Sequence, residues 1–159
     1  DFLWNAYYNH ANEPVHHVSF LFNRLGAPWL TQYWTRAICN GAYKNKVEGL
    51  VGNEDVGQMS AWYVLSAMGF HPVCPGETRY ELTTPLFDRI EIKLDDRYAK
   101  GKKFVIKTVG SASEACYIQS AKLNGKSLEK CYIDHSDIVN GGEISFRLAS
   151  HPNYSWGLE

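Results

Sequence analysis

The 159-residue sequence lacks any apolar run of about 20 residues, the length that a membrane-spanning helix requires. It also lacks an excess of basic residues, because 16 lysines and arginines face 17 aspartates and glutamates. We therefore expect neither a membrane span nor a nucleic-acid partner. Internal repeats and low-complexity tracts are absent as well. The composition, 45% hydrophobic and 21% charged, is that of a globular protein.

The four cysteines form no CxxC pair and show none of the spacings found in structural zinc sites. Four cysteines allow three disulfide connectivities, and the sequence selects none of them. Buried free thiols are the default expectation for such cysteines. The residues concerned are Cys39, Cys74, Cys116 and Cys131.

The first half of the chain shows helical spacing of apolar residues. This spacing predicts helices over residues 2–8, 14–25 and 28–38. The almost entirely apolar stretch 59–68 predicts a further helix, buried on most of its sides.

From about residue 80 the apolar period changes to two, which indicates β-strands. Asn124-Gly125 is the dipeptide typical of a type I′ hairpin turn. The predicted strands lie near 90–94, 104–108, 117–123, 129–133 and 143–148.

These patterns predict an α+β fold. We expect a helical region over 1–76, followed by an antiparallel β region over 77–157. Residues 158–159 resemble a junction with a purification tag.

Two short polar segments interrupt the apolar pattern, each at the expected start of a helix. We call residues 10–17 the first polar segment and residues 52–58 the second polar segment. Each concentrates carboxylates, amides or imidazoles within seven or eight positions. Such a concentration of oxygen and nitrogen ligands suggests a site for an ion, a polyol or both.

In the second polar segment, Asp55 stands three residues before Gln58, a spacing similar to a capping box. Capping alone accounts for Asp55 but not for the neighbouring Asn53 and Glu54. A carboxylate at a helix N-terminus is also held ionised, which is the state that a general base needs. Both interpretations of Asp55 stay open.

In the first polar segment, Glu13, His16 and His17 would share one helical face. Glu-x-x-His is a spacing that transition metals use in helical bundles, so zinc is one interpretation. A helix cap by Asn12 beside two partly buried histidines is the structural alternative. No cysteine or well-spaced third ligand accompanies the pair, and the oxygens of Asn12 and Glu13 suit calcium better.

Seven strings, spread in order over nearly the whole chain, carry a resemblance to a known family. They are YNHANEPVHH at 8–17, GAPW at 26–29, GNEDVGQMSAWYV at 52–64, GFHPVCPG at 69–76, PLFD at 85–88, YIQSA at 117–121 and LNG at 123–125. Together they resemble family 92 of the glycoside hydrolases. That family consists of calcium-dependent, inverting exo-α-mannosidases, largely secreted or periplasmic, that act on mannose-containing glycans.

The resemblance implies that the chain forms the closing helices of an (α/α)6 catalytic barrel and a terminal β region. The N-terminal remainder of the parent enzyme would then be its partner, and an extracellular, periplasmic or cell-surface location is expected. The family's catalytic acid lies in a Glu-Gly-Asn motif, and no such motif precedes His10. We therefore expect the chain alone to be inactive. We also expect exposed apolar faces near 2–8 and 29–34, where the rest of the barrel would cover the helices.

The resemblance also implies roles for single residues. Asp55 matches the general base that activates water, and Asn53 stands where some members have a second aspartate. Asn12 and Glu13 match the segment on the calcium side. The residues implied to bind the sugar, with α-1,2-linked mannose as the expected substrate, are His16, His17, Glu54 and Gln58.

Two alternatives belong to other classes of function. The β region, with its aromatic residues, is compatible with a non-catalytic carbohydrate-binding or interaction domain. A zinc or di-metal helical protein would instead use Glu13 and His16.

Overall fold

The helices of the computed structural model, which describes residues 5–158, lie mainly in the first half of the chain. Two 3₁₀ turns, Glu13–Val15 and Val18–Phe20, come first. The helices are α1 (Leu21–Arg24), α2 (Pro28–Ala42), α3 (Gln58–Met68) and α4 (His135–Val139). The helix predictions for 28–38 and 59–68 are thereby confirmed, but the expectation that the second helix is buried on most of its sides is wrong, because Ser60, Ala61 and Val64 are exposed.

The helix predicted over 14–25 is wrong as a continuous element. It is divided into the two 3₁₀ turns and the four-residue α1. One cause is a long-range contact, because the backbone carbonyl of His16 accepts a hydrogen bond from Trp62 Nε1 at 2.8 Å. Glu13, His16 and His17 consequently do not share one α-helical face. Of the helix predicted over 2–8, residues 2–4 lie outside the described residues, and residues 5–7 form a bend.

The strands form two sheets. The strands are β1 (Phe70–His71), β2 (Arg79–Leu82), β3 (Arg89–Lys93), β4 (Lys103–Val109), β5 (Tyr117–Leu123), β6 (Lys126–Leu128), β7 (Tyr132–Asp134) and β8 (Gly142–Ala149). The smaller sheet has the order β1-β2-β7, and the larger sheet has the order β3-β4-β8-β5-β6.

Four of the five predicted strands are confirmed as β3, β4, β5 and β8, and the α+β class is confirmed with them. Asn124 and Gly125, at φ 51° and 80°, form the predicted hairpin turn between β5 and β6. The strand predicted near 129–133 is confirmed only for residues 132–133, which belong to β7, because the chain leaves the larger sheet after β6 and enters the smaller one there.

The prediction of a purely antiparallel β region is also wrong. Strands β4 and β8 are parallel, with Phe104 opposite Gly142. A period of two indicates which face of a strand is buried but not the direction of its neighbour. In addition, β1 pairs with β2, so the smaller sheet begins before residue 76, and the division of the chain at that residue stays a prediction.

Helix α2 contacts the β region through a polar face. Its buried Gln32 accepts a hydrogen bond from the backbone N–H of Ile118 in β5 at 2.9 Å. The hydroxyls of Thr35 and Thr83 lie 2.5 Å apart. Arg36 donates to two backbone carbonyls in the loops beside the larger sheet. These directional contacts set the position of α2 on the β region.

The smaller sheet is joined to α1 by a buried carboxylate. Glu81 in β2 has no exposed surface, and its oxygens lie 2.9 Å from Arg24 Nε and 2.7 Å from Arg79 Nε. Asn23 donates to Glu81 Oε2 at 3.2 Å, and also to two backbone carbonyls of the β region. A buried charge is tolerated when it is paired and hydrogen-bonded in this way.

All four cysteines are free. Cys39 and Cys131 are buried as expected, Cys116 is half-buried, and Cys74 is exposed, so the expectation of burial is wrong for Cys74. Within residues 5–158 no helix has both the length and the apolar character needed to cross a membrane.

Apolar exposure is present near the two predicted stretches, at Tyr7 (98% exposed) and Tyr33 (46% exposed). A groove of about 350 Å³ with a mainly apolar lining lies in this region. It is lined by Asn5, Tyr7, Tyr8, Val18, Ser19, Phe22, Trp34 and Ile38.

We predict that Glu81→Gln lowers the free energy of unfolding by about 3 kcal/mol, because it leaves Arg24 and Arg79 without their buried counter-charge. Urea denaturation measures this loss. The matched control is Glu91→Gln, which removes an exposed strand carboxylate paired with Lys103 and should cost less than about 1 kcal/mol. Equal losses in the two variants would contradict the stabilising role of Glu81.

Candidate active site

The two polar segments lie side by side in the structure. Gly52 has a φ of 72°, and a Cβ atom added there would lie 2.7 Å from the Cβ of Ala11 and 3.0 Å from its carbonyl oxygen. Only glycine combines this backbone conformation with so close an approach. The Ala11–Gly52 contact therefore brings the acidic residues of both segments into one region.

Glu13 and Asp55, one from each segment, lie near enough for their carboxyl groups to shift each other's pKa. A hydrogen bond between them requires a shared proton, because two carboxylates both lack a donor. The hydrogen bond to Glu13 raises the pKa of Asp55 above its ordinary value. The pKa of Glu13 is lowered, first by its own backbone N–H and then by Asp55. Glu13 Oε1 is buried and has no hydrogen-bond partner among the described residues.

The capping box predicted for Asp55 and Gln58 is wrong. The residue at the N-cap of α3 is Gly57, and its φ is 89°. The carboxylate of Glu54 instead accepts hydrogen bonds from the backbone N–H of Ser60 at 2.9 Å and from its hydroxyl at 2.7 Å. These bonds lower the pKa of Glu54 and leave the side chain of Asp55 outside the helix cap.

The turn that carries Asp55 has an uncommon backbone. Asp55, Val56 and Gly57 have φ values of 47°, 58° and 89° in succession. A β-branched residue such as Val56 rarely adopts this left-handed region, and here its side chain is fully exposed. Backbone strain of this kind is concentrated at functional sites. The turn presents Asp55 on the surface of the chain.

His10, the first residue of the first polar segment, is fully buried. Its Nδ1 lies 2.8 Å from Tyr8 Oη, and its Nε2 lies 2.8 Å from Tyr43 Oη. Because the Tyr43 hydroxyl donates to the carbonyl of Met59, it accepts from His10 Nε2–H. His10 is therefore the neutral Nε2–H tautomer, with Nδ1 accepting from Tyr8. Burial, followed by the proximity of His16, lowers the pKa of His10 to about 3.

His16 is also buried, and its ring contacts His10. Its Nε2 donates to the carbonyl of His10 at 3.0 Å, and the two rings stack with centroids 4.6 Å apart. Burial lowers the pKa of His16. His17 is half-buried. The assignment of both histidines to a sugar pocket stays a prediction.

The remaining candidate residues are exposed. The side chain of Asn12 makes no cap hydrogen bond, so the alternative in which it caps a helix is wrong. Gln58 Nε2 donates to the backbone carbonyl of Glu13 at 3.4 Å, a further link between the two segments. Asn53 lies exposed in the second segment, two residues before Asp55. The roles proposed for these side chains stay predictions.

The donor set at this site suits a hard cation better than zinc. Within residues 5–158 no three histidine, cysteine, aspartate or glutamate side chains are grouped so as to hold a metal ion. Glu13 supplies a buried oxygen without a hydrogen-bond partner, and the neighbouring Asn12 is exposed. Carboxylate and amide oxygens are ligands that calcium prefers. Two neighbouring carboxyl groups whose pKa values are shifted in opposite directions are also typical of acid–base chemistry.

The matching family model and the similar solved structures agree on one family. The model described as the glycosyl hydrolase family 92 catalytic domain matches residues 2–150. Two structures from Bacteroides thetaiotaomicron match 97% of the chain each: a family GH92 α-mannosidase, 35% identical with a TM-score of 0.89, and a family GH92 inverting mannosidase, 40% identical with a TM-score of 0.87. A curated protein of Arthroderma benhamiae, named an uncharacterized secreted glycosidase, is 32% identical over 149 residues, or 92% of the chain.

The relatives are much longer than the chain. It spans 20% of each of the two solved Bacteroides chains and 19% of the Arthroderma protein. The matched part therefore corresponds to about a fifth of these proteins.

We predict that the free energy of unfolding falls between pH 7 and pH 5, above the pH range in which ordinary carboxylates titrate. Burial lowers the pKa of His71 to about 4, and that of His10 lies at about 3. Below pH 6.5 the unfolded chain takes up protons at these positions and the folded chain does not, so stability is lost as the pH falls toward 4. The free energy of unfolding should fall by about 2 kcal/mol for each histidine between pH 7 and pH 5.

Urea denaturation at the two pH values measures this change. His71→Phe should remove only part of the pH dependence, because His10 and His16 keep their lowered pKa values, whereas His151→Gln, at an exposed position, should retain all of it. A free energy of unfolding that is the same at pH 7 and pH 5 would contradict the assignment of buried neutral histidines.

Proposed function

Because the chain belongs to glycoside hydrolase family 92, we propose that it supplies one side of the active site of a calcium-dependent, inverting α-mannosidase. The observation that carries this proposal is the close approach of the two polar segments at Ala11 and Gly52, which brings Glu13 and Asp55 into one region. The substrate proposed is a glycan with a terminal, α-1,2-linked mannose. Two of the matched structures are named mannosidases, which supports this substrate class.

Asp55 is the proposed general base. It lies on an exposed, strained turn, and no helix cap occupies its side chain. In the ionised state its carboxylate takes a proton from a water molecule as that water attacks the anomeric carbon. Inversion requires the catalytic acid on the opposite side of the sugar, at a separation of about 6.5–9.5 Å that leaves room for the water. Asn53, two residues earlier, is proposed to orient the same water through its amide.

The catalytic acid is proposed to come from the N-terminal remainder of the parent enzyme, since the sequence of this chain has no Glu-Gly-Asn motif. The chain alone is then inactive. The name of the Arthroderma relative, a secreted glycosidase, supports an extracellular, periplasmic or cell-surface location.

Glu13 and Asn12 are proposed to hold calcium, with Glu13 Oε1 as a buried oxygen that lacks another partner. Bound calcium supplies positive charge that favours the ionised form of nearby carboxyls and polarises adjacent sugar hydroxyls. If Glu13 held the cation, the hydrogen bond that favours a proton on Asp55 would be lost, that proton would pass to water, and Asp55 would be ionised and available as a base. His16, His17, Glu54 and Gln58 are proposed to shape or contact the mannose site.

We predict that Asp55→Asn in the complete protein lowers kcat on an α-mannoside at least 100-fold and changes KM little, because general bases contribute chiefly to the transition state. Steady-state kinetics measures both constants. The matched control is Asp96→Asn, at an exposed loop position far along the sequence, which should retain normal turnover. Near-normal turnover in Asp55→Asn would refute the base assignment, and sugar binding without any turnover in the parent would favour the non-catalytic alternative.

A second prediction concerns the metal. Chelation should abolish turnover in the complete protein, and calcium should both restore turnover and raise the melting temperature, because a ligand that binds only the folded state stabilises it. Glu13→Gln should weaken calcium binding in isothermal titration calorimetry at least 10-fold, whereas Glu114→Gln, at an exposed position, should not. Restoration by zinc but not by calcium would contradict the calcium site.

A further inference from the structure

His10 lies at the centre of a continuous set of hydrogen bonds that begins at Glu13. The backbone N–H of His16 donates to the carbonyl of Glu13 at 3.1 Å. The ring of His16 then returns to the carbonyl of His10 at 3.0 Å. The backbone around Glu13 is thus folded back onto His10.

The same set of hydrogen bonds continues from His10 to the turn that carries Asp55. His10 Nε2–H donates to the Tyr43 hydroxyl at 2.8 Å, and this hydroxyl donates to the carbonyl of Met59 at 3.0 Å. The backbone N–H of Met59 donates to the carbonyl of Glu54 at 3.2 Å, directly before Asp55. The links from Glu13 to Met59 are made by buried or half-buried residues, and only the last partner, Glu54, is exposed.

We propose that His10 is a positioning residue, which holds the two polar segments in the register that brings Glu13 and Asp55 together. This inference rests on the proposed function, because it assigns a catalytic consequence to that register. His10 touches neither carboxyl group, so its action is exerted through His16 and Tyr43.

The chemistry of this position explains why an imidazole is suited to it. One edge of the side chain accepts from Tyr8, and the opposite edge donates to Tyr43. Its faces pack against the rings of His16 and Trp62, with centroids at 4.6 and 4.4 Å. A flat group with a donor and an acceptor on opposite edges meets all four requirements. Phenylalanine keeps the flat faces and loses both hydrogen bonds, whereas glutamine keeps a donor and an acceptor.

The first test is the kinetics of the complete protein on an α-mannoside. His10→Phe should lower kcat about 10- to 100-fold with KM within about twofold of the parent value, because a displacement near 1 Å costs rates of this order. Tyr43→Phe should act alike, and the double variant should lose little more than the stronger single variant, since both changes break the same path. His10→Gln should recover most of kcat.

The matched control for a merely structural effect is Trp156→Phe. This variant removes a buried hydrogen bond to the carbonyl of Leu128 in the β region. It should lower the melting temperature as His10→Phe does, and leave kcat of the folded fraction unchanged. If His10→Phe lowers only the melting temperature, or if Gln fails to recover kcat, the positioning role is wrong.

The second test does not depend on activity. Spin labels at Asn12→Cys and Val56→Cys, both exposed positions, report the separation of the two segments by dipolar broadening, with the exposed Cys74 changed to serine. We expect strong broadening in the parent, its loss in His10→Phe and its return in His10→Gln.

The two tests separate the inference from the function on which it rests. A parent without mannosidase turnover refutes the proposed function, and the spin-label spectra then still decide whether His10 holds the segments together. An active parent in which His10→Phe leaves either kcat or the broadening unchanged overturns the positioning role.

Discussion

The close approach of Ala11 and Gly52 is the contact on which the candidate site depends. Both partners are small, and Gly52 has a backbone conformation that other residues adopt only with strain. Without this approach the carboxyl groups of Glu13 and Asp55 would belong to separate surfaces. The buried hydrogen bonds around His10 then hold the two segments in place from beneath, where water does not compete. Close backbone packing thus allows the two segments to meet, and the buried hydrogen bonds fix their relative position.

Polar contacts also join the helices to the sheets. Glu81 binds two arginines and an asparagine at one junction, and Gln32 accepts from β5 at another. Directional bonds of this kind specify orientation more sharply than apolar packing does, because an unpaired buried group is costly. Helix α3, which follows the second polar segment, is positioned in the same way, because Trp62 donates a hydrogen bond to the carbonyl of His16 in the first segment. The geometry of the site is therefore set by the fold around it.

Much of this arrangement follows from local patterns in the sequence, and the exceptions have physical causes. The strands β3, β4, β5 and β8 and the Asn124-Gly125 turn depend on neighbours in sequence, and these predictions were confirmed. The prediction of a continuous helix over 14–25 is wrong because the carbonyl of His16 accepts a hydrogen bond from Trp62, which is distant in sequence. The site residues Glu13 and Asp55 were identified separately, but no local signal indicates that they lie close together. His10 carries no local signal of its role, because its partners come from three different parts of the chain.

The larger sheet has a consequence for synthesis of the chain. Strand β8 lies at its centre, parallel to β4 on one side and antiparallel to β5 on the other. Until residues 142–149 have left the ribosome, the sheet therefore consists of two separate antiparallel pairs, β3–β4 and β5–β6. Their inner edges stay unpaired and their apolar faces stay exposed until β8 is added, and such edges are prone to aggregation during folding. Truncations near the C-terminus would leave the nascent chain in this condition, although every residue of the candidate site precedes them.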